Sequence, residues 1–343
     1  MIPKPVIAIT AGDPCGIGPE VVLKALDGFP RSPRVRLAVI GDSAVFERTA
    51  KRLHHHLPPW SHLPLGPPWP TSWPPLTLVD CGHPQTFTPG RSSRDAGAVS
   101  FAYLDQAVAL WRAQCIHALV TAPVTKWAMA RVQPTFVGQT EYLARAMRTR
   151  AVVMMFVSDR LRVVLLTRHV PLSRVAQAID QRLLKTTLRM TAHALCWQFG
   201  IRHPRLALCG LNPHAGEEAR CGKEERDLMR PVLRALRHEG MVCDGPFAAD
   251  GFFACLPRTP SLGAERRQAT SPRYDAIVCG YHDQGLIPFK MVARDQGAQM
   301  SIGLPIVRTS PDHGSALDIA GRGLANPGSM IYALKLAIKL VQR

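Results

Sequence analysis

Short apolar segments rich in β-branched residues alternate with amphipathic stretches along most of the chain. Apolar runs of this kind, bounded by turn residues, are typical of buried strands. In the N-terminal part they predict strands at VIAIT (6–10), RLAVIGD (36–42), LTLVDC (76–81) and HALVTAPV (117–124). Helical patterns begin near Pro19, Ser43 and Ala96. Strand and helix therefore alternate, which favours an α/β protein with largely parallel sheets.

The later part of the chain continues this alternation. Strands are predicted at 151–157, 161–169, 205–214 and 274–282, and amphipathic helices near 172–199 and 223–239. Only Ser-Asp-Arg separates the first two of these strands, so we expect them to form an antiparallel hairpin. The proline-rich segment 54–75 predicts a surface excursion without regular structure.

The composition is that of a globular protein, with 46% hydrophobic and 20% charged residues among 343. This length allows two domains with cores of their own. No apolar run approaches the roughly 18 residues of a membrane span, and the first residues lack a secretory signal pattern. Nine scattered cysteines without a C-x-x-C pair favour neither a disulfide framework nor a cysteine-rich zinc site. We therefore expect a cytoplasmic protein without membrane contact.

The net charge of +17 is high, but its basic residues are spread from Lys4 to Arg343 without a dense run or an aromatic stripe. A nucleic-acid module usually concentrates its positive charge on one face. A spread positive field is instead useful for steering an anionic small-molecule substrate. A basic, non-catalytic nucleic-acid module is the alternative outside the enzymes. It would leave the strand-end histidines and the glycine-rich segments, described next, unexplained.

Three of the later predicted strands end in a histidine: His169, His214 and His282. Parallel strands of an α/β sheet present their carboxyl ends to one crevice, where ligands bind. A single histidine at such a place is more often a packing or capping residue. Three histidines, each at the carboxyl end of a predicted strand, predict a metal triad that leaves coordination positions open for substrate oxygens.

A second group of residues suggests an anion site. In GQTEYLARAM, Thr140 is expected to be the N-cap of a helix with Glu141 in its first turn, and helix N-termini bind phosphates and carboxylates. Lys290 and Arg308 are candidate partners for a phosphate, Arg308 through its bidentate fork. Taken singly, Thr140 could be a plain helix cap, and Lys290 and Arg308 could be solvated surface charges.

The glycine-rich stretch AGDPCGIGPEVVLKAL follows the first predicted strand and opens a helix. Gly16 and Gly18 have the G-x-G spacing of a dinucleotide fingerprint, but Val21 stands where the third glycine belongs. Asp42, at the end of the second strand, supports that interpretation only weakly.

Six segments resemble, in the expected order, the 4-hydroxythreonine-4-phosphate dehydrogenase family of vitamin B6 biosynthesis. They span residues 11 to 323 and read AGDPCGIGPE, TAPVTK, GQTEYLA, GLNPHAGE, GYHDQGLIPFK and VRTSPDHGSALDIAGRG. GIGPE and HGSALDIAGRGLANP also resemble segments of the isocitrate and isopropylmalate dehydrogenases. This second resemblance implies two α/β/α domains with a cleft between them, a fold that is not a Rossmann fold. We expect the first domain at 1–137 plus 285–343, and the second, with dimerisation and the metal site, at 138–284.

The resemblance also implies a set of functional residues. It assigns the divalent metal (Zn²⁺, Mg²⁺ or Co²⁺) to the three histidines and places the site at a homodimer interface. Contacts to a phosphorylated substrate are implied for Gln139, Thr140, Lys290, Gln299 and Arg308, and contacts to NAD or NADP for His313, Gly314 and Asn326. The family usually has histidine at position 139 and asparagine at position 299, so these two replacements leave the exact substrate open.

The implied chemistry is oxidation of a secondary alcohol by hydride transfer to a nicotinamide, with a metal that stabilises the alkoxide. For 4-phosphooxy-L-threonine the product is a β-keto acid that loses CO₂. Asp250 and Asp283 are candidates for orienting a metal ligand or relaying a proton, or are plain turn residues. The alternative within the same class is a dehydrogenase for 4-phosphothreonate or another phosphorylated hydroxy acid.

Overall fold

The computed structural model describes residues 4–27, 34–83, 85–256 and 274–342. The strands are β1 Val6–Thr10, β2 Arg36–Gly41, β3 Ser61–Pro64, β4 Leu76–Asp80, β5 Ala118–Thr121, β6 Val153–Ser158, β7 Arg162–Leu165, β8 Arg205–Cys209, β9 Val242–Phe247, β10 Ala276–Cys279, β11 Gly297–Ile302 and β12 Val307–Pro311. The helices are α1 Gly18–Asp27, α2 Ser43–Leu53, α3 Arg94–Arg112, α4 Lys126–Ala130, α5 Gln139–Ala146, α6 Val175–Ala178, α7 Gln181–Trp197, α8 Arg230–His238, α9 Ala249–Ala254, α10 His282–Ala293 and α11 Gly328–Val341.

The chain forms two compact units, one from Met1–Val152 with Asp295–Arg343 and the other from Val153–Arg294. The first predicted domain bound, at 137/138, lies 15 residues before the corresponding bound of the units. The second, at 284/285, lies 10 residues before its counterpart. Two helices account for the difference, because α5 packs on α3 in the first unit and α10 packs on β7 and β10 in the second. The assignment of functional domains stays a prediction.

In the first unit the strand order is β3-β4-β2-β1-β5-β12-β11. All these neighbours run parallel except β11, which is antiparallel to β12. All five residues of β1 are buried, as expected of an inner strand of a largely parallel α/β sheet. This arrangement explains why β1 is a continuous apolar run rather than an alternating one.

The second unit has the strand order β6-β7-β10-β8-β9. β6 and β7 form an antiparallel hairpin, which confirms the prediction for this pair, and β7, β10, β8 and β9 are parallel. Leu286 and Phe289 of α10 are buried in an apolar cluster with Val163, Leu165 and Cys279. α10 is thereby held against the strands that precede it.

Local sequence signals set the starts of two long helices. Ser93 caps α3, accepting a hydrogen bond at its hydroxyl from the Ala96 N–H at 3.2 Å. Asp180 caps α7, accepting one at Oδ1 from the Leu183 N–H at 2.6 Å. Side-chain oxygens at this position satisfy helix N–H groups that have no partner within the helix.

The predicted fold class is confirmed, and the strands expected at 6–10, 36–42, 76–81 and 117–124 correspond to β1, β2, β4 and β5. The prediction that 54–75 lacks regular structure is wrong in part, because β3 lies within it and pairs with β4. β3 is at the edge of the first unit's sheet, where only one side needs ladder hydrogen bonds. Pro64 ends the strand there, so the prolines around β3 are tolerated. Among the described residues, no helix has both the length and the hydropathy to span a membrane.

Candidate active site

Three adjacent parallel strands of the second unit, β7, β10 and β8, lead to the three histidines predicted as metal ligands. His169 follows the end of β7, His282 is the first residue of α10 after β10, and His214 follows β8. The ring centroids of His169 and His282 are 6.4 Å apart. The structure therefore brings these two imidazoles together at the carboxyl edge of the sheet.

His214 lies in a turn at 213–219 whose backbone is largely left-handed, with φ of 54° at His214 itself. Such φ values are costly for residues other than glycine and persist only where neighbouring groups hold them. Glu225 anchors the residues just before this turn: it is 1% exposed and accepts hydrogen bonds at Oε1 from the N–H groups of Leu211 and Asn212, both at 2.7 Å. Sequence reasoning missed Glu225, because nothing in its local pattern distinguishes it from a surface acid.

The histidines match a divalent metal in ligand type and in placement at strand ends. Nδ1 of His282 lies 2.6 Å from Oδ1 of Asp283, so the carboxylate orients the ring and leaves Nε2 available. A histidine paired with a carboxylate in this way is typical of metal centres. In the described part of the chain, however, no three histidine, cysteine or acidic side chains are close enough to hold an ion. The assignment of all three histidines as ligands stays a prediction.

The two candidate aspartates differ in their surroundings. Asp283 contacts a predicted ligand, as expected of an orienting residue. Asp250 is exposed in the first turn of α9, and its side chain makes no hydrogen bond to any residue that the structure describes. The proposed roles of both residues in catalysis stay predictions.

In the first unit, Arg308 of β12 lies at the centre of a buried polar cluster and is 2% exposed. Its Nη1 donates hydrogen bonds to Ser301 Oγ at 3.0 Å, to Thr140 Oγ1 at 3.3 Å and to Gln299 Oε1. Its Nη2 donates to Thr121 Oγ1. Three of the predicted substrate residues, Arg308, Gln299 and Thr140, are thus in direct contact, whereas Ser301 and Thr121 were not predicted.

The acceptors around Arg308 are all neutral oxygens. Burial lowers the pKa of the guanidinium to about 10, and the nearby Glu141 carboxylate opposes that shift. Its Nε has no partner among the residues that the structure describes. Desolvation of a cation is costly unless an anion or full hydrogen bonding compensates. The cluster is therefore suited to receive a phosphate or a carboxylate.

The N-terminus of α5 differs from the sequence-based expectation. The prediction of Thr140 as N-cap is wrong, because α5 begins at Gln139 and its N-cap is Gly138. The Thr140 hydroxyl faces Arg308 and Ser301 instead of the N–H groups of its own helix. Glu141 lies in the first turn of α5 as expected.

Gln139 donates a hydrogen bond from Nε2 to the Ala122 carbonyl at 3.0 Å, and its buried Oε1 has no partner in the described residues. Its position beside Thr140 is consistent with the predicted substrate contact. Lys290 is exposed near the end of α10 in the second unit, and its contact to a phosphate stays a prediction.

The residues predicted for the cofactor lie in the segment that follows β12. His313 Nδ1 is 3.1 Å from the Gly314 carbonyl oxygen, and Asn326 Nδ2 donates to Asp295 at 3.2 Å. The glycine-rich loop before α1 is a neighbour of this segment, since the Ile17 N–H donates to the Ser315 carbonyl at 2.9 Å. Contacts of these residues with a nicotinamide cofactor stay predictions.

The glycines of that loop serve close packing. A Cβ at Gly18 would lie 2.3 Å from the Ala11 carbonyl oxygen, and one at Gly16 would lie 3.0 Å from Ser315. Asp42, which suggested a dinucleotide fingerprint weakly, is buried and accepts hydrogen bonds from Tyr103 Oη at 2.7 Å and from the His83 N–H at 3.1 Å. Its carboxylate therefore has a structural role in the first unit.

The sequence of the chain matches, over residues 34–337, the family described as pyridoxal phosphate biosynthetic protein PdxA. The chain belongs to this family. It is 40% identical to the 4-hydroxythreonine-4-phosphate dehydrogenase of Desulforapulum autotrophicum over 341 residues, 97% of this chain and 95% of that protein. The resemblance drawn from the six sequence motifs is thereby confirmed.

Solved structures of PdxA relatives have a similar fold. The 4-hydroxythreonine-4-phosphate dehydrogenase of Klebsiella pneumoniae superposes with a TM-score of 0.81 at 31% identity, covering 99% of each chain. A terephthalate 1,2-cis-dihydrodiol dehydrogenase of Burkholderia xenovorans superposes with a TM-score of 0.61 at 30% identity, covering 98% of each chain. Both of these proteins are dehydrogenases by name, although the names give different substrates.

Proposed function

We propose that this PdxA family member is a metal-dependent, NAD- or NADP-linked 4-hydroxythreonine-4-phosphate dehydrogenase. It oxidises 4-phosphooxy-L-threonine to a β-keto acid, which loses CO₂ to give 3-amino-2-oxopropyl phosphate on the route to pyridoxine 5'-phosphate. Identity of 40% to a relative of that name over 97% of the chain supports the substrate class. The single structural observation that carries the proposal is the buried Arg308 cluster, which is suited to an anionic substrate.

The chain's own residues have defined tasks in this reaction. Arg308 binds the anionic substrate through its guanidinium fork, and Thr140 and Gln299 position that fork through their side-chain oxygens. His169, His214 and His282 would hold a divalent ion, with Asp283 fixing the orientation of His282. When bound, the ion supplies Lewis acidity at the substrate oxygen and the nicotinamide accepts the hydride.

The metal assignment is tested by His282→Ala, with metal content and turnover measured on the same preparation. We expect loss of bound metal and a fall in turnover of at least about a hundredfold, because a ligand and its Lewis acidity are removed. His203→Ala is the matched control, since His203 is exposed in the second unit and outside the strand-end group. The assignment would be refuted if both variants, after their metal has been removed by chelation, were as active as the native protein.

A second candidate substrate is 4-phosphothreonate or another phosphorylated hydroxy acid. Gln139, which stands where the family usually has histidine, has a buried Oε1 that lacks a described partner, so a substrate hydrogen-bond donor would satisfy it. A panel of phosphorylated hydroxy acids, scored by kcat/KM from reduced-nicotinamide absorbance, decides between the candidates. If the native chain prefers 4-phosphooxy-L-threonine and Gln139→His keeps that preference, the first candidate is supported. If the native chain prefers another acid and Gln139→His reverses that preference, the second candidate is supported.

We further propose a cytoplasmic homodimer that shares its metal site between subunits. All nine cysteines are free thiols, in keeping with a reducing compartment. Sedimentation together with mixing of two inactive variants, one in a metal ligand and one in Arg308, tests the shared site. Recovered activity through heterodimers is expected, and a fully active monomer would contradict the proposal.

A further inference from the structure

A chain of side-chain hydrogen bonds in the first unit connects Arg308 to Ser310, a residue outside the predicted site. Ser310 lies two positions beyond Arg308 in β12, so both side chains are on the same face of the sheet. In the pairing of β11 with β12, Gln299 lies opposite Ser310. All three residues are buried. Their polar atoms therefore depend on one another rather than on water.

Gln299 is the middle member of this chain. Its Oε1 accepts hydrogen bonds from Ser310 Oγ at 2.9 Å and from Arg308 Nη1, and its Nε2 donates to Ser301 Oγ at 3.1 Å. The amide must have this orientation, because arginine has only donors and therefore needs the oxygen in front of it. Two protein donors thereby engage both lone pairs of Oε1. Gln299 has no acceptor left at this atom for a donor of the substrate.

The same contacts restrict which donors of Arg308 an anion can use. Nη1 is within hydrogen-bond distance of side-chain oxygens of Ser301, Thr140 and Gln299, so its two N–H groups face three acceptors. Nη2 donates to Thr121, and Nε has no partner among the described residues. The N–H of Nε and the second N–H of Nη2 lie on one edge of the planar guanidinium. Such an edge can donate two parallel hydrogen bonds to an oxyanion.

We propose that Ser310 is a positioning residue for the anionic group of the substrate. Through Gln299 it holds the Arg308 guanidinium with Nη1 against the protein, which leaves the edge of Nε and Nη2 for the anion. Ser301 supports the same orientation, because its Oγ accepts from both Gln299 Nε2 and Arg308 Nη1. This inference rests on the proposed function, since the anion is a group of that substrate. Ser310 acts through its neighbours, so its loss should affect binding and spare the chemical step.

Steady-state kinetics with 4-phosphooxy-L-threonine and NAD test Ser310 through the split between KM and kcat. Ser310→Ala should raise KM about five- to tenfold and change kcat less than about twofold, because the guanidinium loses a hydrogen bond that orients it before the substrate binds. Ser310→Thr keeps the hydroxyl group and should bring KM back to within about twofold of the native value.

Thr309→Val is the matched control for loss of a buried hydroxyl group in β12. Thr309 is the chain neighbour of Ser310 and is buried, but its Oγ1 donates on the other face of the sheet, to the Ala333 carbonyl at 2.9 Å. The control should lower the urea midpoint of unfolding about as much as Ser310→Ala does, while KM stays native. Equal rises in KM in the two variants would overturn the proposal, because a general weakening of β12 would then explain both.

A double-mutant cycle tests the route through Gln299. Gln299→Met removes the amide at nearly constant side-chain length, so Ser310→Ala added to it should raise KM no further. Effects of the two substitutions that multiply would show that they act independently and would overturn the proposal.

Binding measured without turnover separates this inference from the proposed reaction. Titration calorimetry of full-length protein with 4-phosphooxy-L-threonine, in the absence of NAD, should give an affinity about five- to tenfold weaker in Ser310→Ala than in the native chain. That loss, found in a native chain that binds the compound without oxidising it, would support the role of Ser310 and refute the reaction. Turnover by the native chain with equal affinities in the two proteins would support the reaction and refute the role of Ser310.

Discussion

At Arg308 a charged guanidinium is 2% exposed, with neutral oxygens as its hydrogen-bond acceptors. Burial lowers its folded-state pKa to about 10, below the ordinary value of an arginine, so above about pH 10 the unfolded chain binds more protons at this group and the contribution of Arg308 to stability rises with pH. At neutral pH the group stays charged in both states. The folded chain therefore carries the cost of a buried cation, which a bound anion would offset.

Arg308→Lys should raise the Michaelis constant for a phosphorylated substrate about tenfold, because lysine lacks the bidentate fork. It should also lower the free energy of unfolding by about 1–3 kcal/mol, since Gln299 and Thr121 lose donors in a buried place. Steady-state kinetics and urea unfolding measure the two effects. Arg150→Lys, at an exposed arginine of the same unit, is the control and should change neither quantity. If the kinetic constants of Arg308→Lys are unchanged, the phosphate of the substrate binds elsewhere.

At the scale of a single element, α10 couples packing to the candidate metal site. It begins at His282, buries Leu286 and Phe289 against the sheet, and exposes Lys290. Gly285 allows this close contact, because a Cβ there would lie 2.7 Å from Val163 Cγ1 and 2.9 Å from Leu165 Cδ2. The position of His282 therefore depends on how near α10 lies to β7.

Gly285→Ala should lower the free energy of unfolding by about 1–3 kcal/mol, since the added methyl group overpacks a well-filled interface. Gly251→Ala in α9 is the matched control: it makes the same change in a helix where a Cβ meets no atom of the described residues within 4 Å. There alanine should stabilise the chain by up to about 1 kcal/mol through its higher helix propensity. Urea unfolding at constant m-value measures both variants. Equal effects at the two glycines would contradict the packing role of Gly285.

For the whole molecule, the net charge of +17 is large for 343 residues and is spread along the sequence. A field of this sign raises the encounter rate with an anionic substrate, and salt screens it over about 8–10 Å at physiological ionic strength. Such steering acts on the encounter and leaves the bound complex unchanged.

We expect kcat/KM for a phosphorylated substrate to fall several-fold as NaCl rises from about 20 to about 300 mM, provided that encounter limits the rate. The value of kcat at saturating substrate is the internal control and should stay constant. A parallel fall of both constants would indicate loss of bound metal or of structure, and a flat profile would exclude electrostatic steering as a use for the charge.

Local patterns were sufficient for much of the fold. β1, β2, β4 and β5 are runs of apolar residues, and their burial between layers leaves a signal that needs no knowledge of the partner strands. The same holds for the hairpin of β6 and β7, whose turn residues are adjacent in sequence. β3 escaped prediction because an edge strand carries little apolar signal and depends on the neighbouring strand β4 for its hydrogen bonds.

The family, the α/β class and the candidate histidines can be recognised in the sequence, because motifs and apolar periodicity are local properties of the chain. Which polar groups come into contact depends on the folded chain. Thr140 faces Arg308 across 168 positions, and Ser301 and Thr121 complete that cluster. A hydroxyl or a carboxylate looks the same in sequence whether it faces water or a buried cation. Its chemistry is decided by desolvation and by partners that folding brings from distant parts of the chain.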